Sequence, residues 1–187
     1  MRARLAAGVA AAALAGSVAV AVAVGAGAGS ASAYGGSLRQ DDFAAARAAT
    51  AKYHDIRKAT GFTELDDAAG IACIDNPAGG MGVHFVDGSR LNSVLDPALP
   101  EALVYAPQAD GSMKLGALEY VILDSDWKGP GAPELFGQSF EYQPGPGEAN
   151  PNRFGLPAFW ELHLWVWNEN PRGMFDDWNP KVTCANG

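Results

Sequence analysis

The chain has 187 residues, 48% of them hydrophobic and 18% charged, a balance that excludes a disordered tail or a coiled coil and fits one domain with a real core. Its formal charge is −8, and loss of residues 1–33 would remove Arg2 and Arg4 and leave the rest more acidic still. Such a surface repels phosphate backbones and anionic lipid, so no nucleic acid and no membrane beyond the N-terminal segment is expected as a partner.

Met1-Arg-Ala-Arg4 is a short basic stretch, Leu5 to Gly29 holds only Ala, Val, Gly and Leu with a single Ser, and Ala31-Ser32-Ala33 has the A-x-A pattern of a cleavage site. The reading is a cleaved Sec-type signal peptide over 1–33 followed by a single secreted, extracytoplasmic domain over 34–187. An uncleaved anchor is the alternative, because the apolar run is long enough to span a bilayer.

Ser37 and Gln40 match a capping box, which predicts a helix from Leu38 to about Ala59, stopped by Gly61. Leu38, Ala45, Ala46, Ala49, Tyr53, Ile56 and Ala59 share one arc of it. Its buried side is mostly Ala and permits close approach to a sheet. His54 lies away from that arc and reads as half-exposed. After Gly61 the apolar period changes to two, with candidate strands Ile71–Ile74, Met81–Asp87, Ala102–Pro107, Leu115–Leu123 and Trp160–Trp167. Asp110-Gly111 is the strongest hairpin signal and joins the third of these to the fourth. Residues 129–157 hold six of the twelve prolines and read as one long irregular Pro/Gly loop, tacked down by Leu135, Phe136 and Phe140. The tail carries Asn170-Pro171 and Asn179-Pro180 and is expected to wrap the surface, with Asp176-Asp177 as a solvated turn. The two cysteines, Cys73 and Cys184, are expected to form one disulfide in an oxidising compartment. The fold class is therefore α+β: one long N-terminal helix on a curved, mainly antiparallel sheet of about five strands.

Strand parity gathers the residues that can carry chemistry. Glu161, His163, Trp165 and Trp167 share one face of the last strand. His84 shares its face with Gly82 and Val86, and Glu119 is the only charge in an apolar strand. A buried carboxylate or imidazole needs a partner, so the economical arrangement has these groups facing one another. His84, Glu119 and His163 are then candidate ligands for Fe, Mn, Zn or Cu, since Ca or Mg would prefer all-oxygen ligands. Glu161 is the candidate general base, further ligand or outer-shell acceptor. Trp165 and Trp167 would form an aromatic wall for a small-molecule ligand, with Tyr105 as a donor; core packing and tail anchoring are the alternative for all three. No G-x-S-x-G nucleophile elbow occurs, and a disulfide would leave no Cys for covalent catalysis.

Gly80-Met-Gly-Val-His84, Pro100-Glu-Ala-Leu-Val-Tyr105, Leu118-Glu-Tyr120, Glu161-Leu-His-Leu-Trp-Val-Trp-Asn-Glu-Asn-Pro-Arg-Gly173, Trp178-Asn-Pro180 and Cys184 resemble the pattern of an uncharacterised family of exported bacterial proteins. The resemblance, which takes in Tyr53-His-Asp55, implies export and a single compact domain. Cupins do not fit, because His84 lacks the second His of their H-x-H pair. Three readings follow: a secreted metal-binding protein, a metal-free module for a small organic ligand, and a structural or interaction protein.

Overall fold

Runs rich in Val, Leu, Ile and Tyr over 79–123 and 159–164 favour extended backbone, and their alternation gives each strand two distinct sides. The computed structural model describes residues 28–186, with side chains over 39–185. The expected export segment lies outside these but for residues 28–33, and the Ser37 capping box falls where side chains are not described. The elements are α1 (Ala28–Thr50), β1 (Thr63–Leu65), β2 (Cys73–Asn76), β3 (Gly79–Val86), β4 (Ala102–Pro107), β5 (Met113–Leu123), β6 (Glu134–Leu135), β7 (Gln138–Ser139), β8 (Glu141–Gln143) and β9 (Phe159–Leu164).

The architecture is α+β, with a seven-stranded antiparallel sheet in the order β1-β3-β4-β5-β9-β8, β2 also pairing with β3. The β4–β5 hairpin turns at Asp110-Gly111: Gly111 has φ +80°, and the Asp110 carboxylate accepts from the Ser112 amide at 3.0 Å. The single long helix to Ala59 is not seen. α-Helical bonding stops at Thr50, and 3-10 turns follow at Ala51–His54 and Ile56–Lys58. The Thr50 hydroxyl donates back to the Ala46 carbonyl at 2.7 Å and accepts from the Trp167 indole at 3.1 Å. Such back-bonding bends helices, and the chain turns here to set Tyr53 on the sheet. No helix among the described residues is long and apolar enough to cross a membrane.

One face of the sheet presents Leu103, Tyr105, Leu118, Tyr120, Leu162 and Leu164 to Ala46, Tyr53, Phe62, Phe136 and Phe140. Each fully buried apolar side chain there contributes about 1.5–3 kcal/mol. The segment 129–157 is thus tacked down through Phe136 and Phe140 as expected. It is not wholly irregular, because β6 and β7 form a small hairpin and β8 adds a strand to the main sheet.

The other face is covered by residues 144–157 and by the C-terminal tail. Asn179 and Gly80 exchange backbone hydrogen bonds of 3.1 Å. Gly79 and Gly80 permit this approach, since a Cβ on either would collide with Asn179, Pro180 or Val182. Cys73 and Cys184 form the expected disulfide, Cα–Cα 5.6 Å, and tie the tail to β2.

Candidate metal centre

Glu119 on β5 stands directly opposite His163 on β9, and Ala102 on β4 flanks Glu119 on its other side. Directly opposed residues bring their Cβ atoms to about 5 Å. His84 lies two strands from Glu119, opposite Val104. On the strand between them this face carries Ala102, whose side chain is a fully buried methyl group, beside Val104. The spacing of large and small residues on four strands, rather than a contiguous motif, therefore builds the site. One ligand atom from each of His84, Glu119 and His163 lies within 4.8 Å of the others, and this buried group could hold a metal ion.

His84 Nε2 and Glu119 Oε2 are 3.8 Å apart. That separation is too long for a hydrogen bond, and it is not a working ion pair either, because the imidazole is neutral. Burial pushes His84 down to about 4, helped by the positive charge of Arg153. Burial, then His84, pushes His163 down to about 3. Neutral imidazoles are the form that binds a metal. All four ring nitrogens are buried and have no hydrogen-bond partner among the described residues. Ring packing sets their orientation instead. His163 lies against Trp165 at 4.9 Å, and His84 meets Phe154 edge-on at 5.6 Å. Donors at about 2.1 Å from a tetrahedral ion would stand about 3.4 Å apart, so small side-chain rotations close the observed spacing onto one ion.

Glu161 shares this face two residues before His163 and hydrogen-bonds Glu119. Two carboxyls so close cannot both be ionised without large cost. Burial first, and then Glu119, raises Glu161 well above the usual carboxyl range, so Glu161 holds the proton. Burial pushes Glu119 up to about 7, against the pull of the hydrogen bond from Glu161. The Gln143 amide donates to Glu161 Oε1.

Open space reaches the group from more than one side. A cavity of about 210 Å³ touches Glu119 and is otherwise lined by apolar residues, among them Val86, Val121, Phe154 and Phe159. A smaller polar space of about 120 Å³ meets Gln138, Glu141, Glu161, His163 and Asp177.

The structure thus brings His84, Glu119, His163 and Glu161 together, and four other expectations are corrected. Tyr105 points to the helix side of the sheet, where its hydroxyl donates to the Tyr53 carbonyl at 2.8 Å. Trp167 also lies with the helix, edge-on to His54 at 4.4 Å, because β9 ends at Leu164 and strand parity does not extend to it. Trp165 remains beside His163, but its indole donates to the Asp176 carbonyl at 2.7 Å and anchors the tail rather than walling a cavity; Gly116 leaves room for its ring. Asp177 was expected in a solvated turn. It is half-buried in the polar space, and burial, with Glu161 and Glu141 behind it, pushes it up to about 7. Nothing in the local sequence marks it, since the wrapping of the tail brings it there.

Comparison of the chain with models of known families, with curated proteins and with solved structures finds no match.

Proposed function

We propose that the protein binds one transition-metal ion, of the Fe, Mn, Zn or Cu group, through His84, Glu119 and His163. The carrying observation is the set of four buried imidazole nitrogens without a hydrogen-bond partner, beside a carboxylate. Buried polar atoms are otherwise almost always paired, and a cation is the partner that neutral imidazoles and one carboxylate suit together. Two imidazoles and a carboxylate leave coordination positions open, as in catalytic rather than closed structural sites. Glu161 is the group placed to hold and move a proton beside the ion. The Cys73–Cys184 disulfide supports a location outside the cytoplasm, together with the signal-like segment and the resemblance to exported proteins. A purely structural or interaction role would have these side chains turned apart, and they converge.

Elemental analysis of the purified full chain, followed by titration with Zn²⁺, Mn²⁺, Cu²⁺ and, without oxygen, Fe²⁺, tests the proposal. The expected result is about one equivalent of one of these ions bound to the wild type, with His84→Ala and His163→Ala each reduced to background. No stoichiometric uptake of any of the four by the wild type overturns it.

A further inference from the structure

The cavity beside Glu119 has its own chemistry. Val86, Val121, Leu123 and Phe159 line it from the sheet, and Phe154 and Leu156 line it from the covering segment. Among the described residues Glu119 is its only ionisable lining residue. The covering wall is fixed in place. The Asn152 amide donates to the Pro144 and Leu156 carbonyls at 2.7 and 2.8 Å, and its oxygen accepts from the Leu156 amide at 3.1 Å. Arg153 bridges to the buried Asp67 at 2.8 Å, and the Arg153 carbonyl accepts from the Ala68 amide at 3.0 Å. These bonds hold Phe154 and Leu156 over the sheet, so the chamber is preformed.

A water in this space would find Glu119 as its one side-chain partner, whereas stable buried waters make two to four hydrogen bonds. An anion would face the Glu119 carboxylate. With Glu119 engaged on a metal ion, a step that rests on the function proposed above, a cation finds no counter-charge either. Apart from Glu119 and the metal group the walls offer a charged ligand no partner, so a charge held against them goes uncompensated.

We propose that this chamber binds a small, uncharged, largely apolar organic molecule, with any polar atom turned towards Glu119 and the metal group. An apolar cavity of about 150 Å³ holds benzene. The larger volume here suits a ring carrying one substituent, or a chain of about six to eight carbons on the same scale. The chamber, not the Trp165–Trp167 edge, is then where substrate would sit.

Fluorobenzene followed by fluorine NMR, titrated with the full-length protein before and after zinc loading, tests this. The expected result is saturable binding to both forms, weakened at least tenfold by Val121→Phe, which fills the chamber, with zinc uptake unchanged. Leu91→Trp, at a half-buried lining position, gives the same result by an independent route should Val121→Phe fail to fold. Benzoate is expected not to compete for the zinc-free form, where it would face the Glu119 carboxylate. Absence of saturable fluorobenzene binding overturns the proposal, as does unchanged affinity in both folded variants. Failure of zinc and of the other three ions to bind, with fluorobenzene binding intact, would overturn the metal reading and leave the chamber standing.

Discussion

Glu119 and Tyr120 are neighbours on β5, and the pleat of the strand sends them to opposite sides of one sheet. Both residues are buried. On the helix side the polar atoms are paired: the Tyr120 hydroxyl donates to the Pro97 carbonyl at 2.7 Å and Tyr105 to Tyr53 at 2.8 Å. Leucine and aromatic side chains fill the rest. On the other side sit two neutral imidazoles with no partner and two carboxyls that must share a proton. Burial without pairing costs about 1–3 kcal/mol per group. The helix side therefore supplies the stability, and the other side holds groups that lower it. An arrangement that breaks the rule of satisfied burial on one face sets that face apart, in keeping with the metal site proposed above.

The largest expected effect comes from releasing the cover of the polar face. Cys73 and Cys184 are 111 residues apart in sequence, and the chain-entropy model gives a cross-link of that span about 4–5 kcal/mol. The double variant Cys73→Ser/Cys184→Ser should lose stability of that order in urea denaturation, with hydrogen exchange rising first around Val182. Unchanged stability would mean that the tail is held without the covalent tie. A matched pair of substitutions then compares the faces directly. Leu118→Ala, on the helix side, should cost about 2–5 kcal/mol. His163→Leu, measured with a chelator present, should fall within about 1 kcal/mol of wild type or above it, because it removes two unpartnered nitrogens and keeps the volume. Equal large losses from both would erase the distinction between the faces.

This asymmetry was partly legible in the sequence. Period-two alternation located β3, β4, β5 and β9, Asp110-Gly111 located the hairpin, and parity put His84, Glu119, Glu161 and His163 on faces that could meet. Parity carries that far because the side-chain period in a strand is fixed. It fails where a strand ends. Trp165-Val-Trp167 reads as a continuation of β9, yet the Val166 amide bonds back to the Leu164 carbonyl at 2.9 Å and the run turns out of the ladder. Tyr105 went to the other side because both faces of β4 are apolar, so composition did not say which face the site would use. β1, β6, β7 and β8 have two or three residues each, too few to show a period. The end of α1 had no breaker residue; it depends on a hydroxyl that meets an indole 117 residues away. Asp177 required knowledge of where the tail lands.

A third buried carboxyl sharpens the comparison, since Glu101 has the partner that the imidazoles lack. Glu101 is 3% exposed, and its Oε2 accepts from the Val121 amide at 3.0 Å. Burial still pushes it up to about 7, against the pull of that amide and of Arg90. The raised value fixes the sign. Between the ordinary 4.5 and about 7 the folded chain holds a proton that the unfolded chain has released. Stability from this group is therefore full below 4.5 and is lost as pH rises through 7. Glu101→Gln keeps the shape and an acceptor for Val121 but cannot ionise. Relative to wild type it should gain up to about 1.4 kcal/mol per pH unit across that window, or about 1 kcal/mol between pH 5 and pH 6, and nothing further above it. Denaturation curves of both proteins at several pH values measure the difference. Parallel stability profiles would show that one backbone donor is enough to keep a buried carboxylate ionised in this sheet. Pairing alone would then separate Glu101 from the His84, Glu119 and His163 group, and burial would drop out of the comparison between the faces.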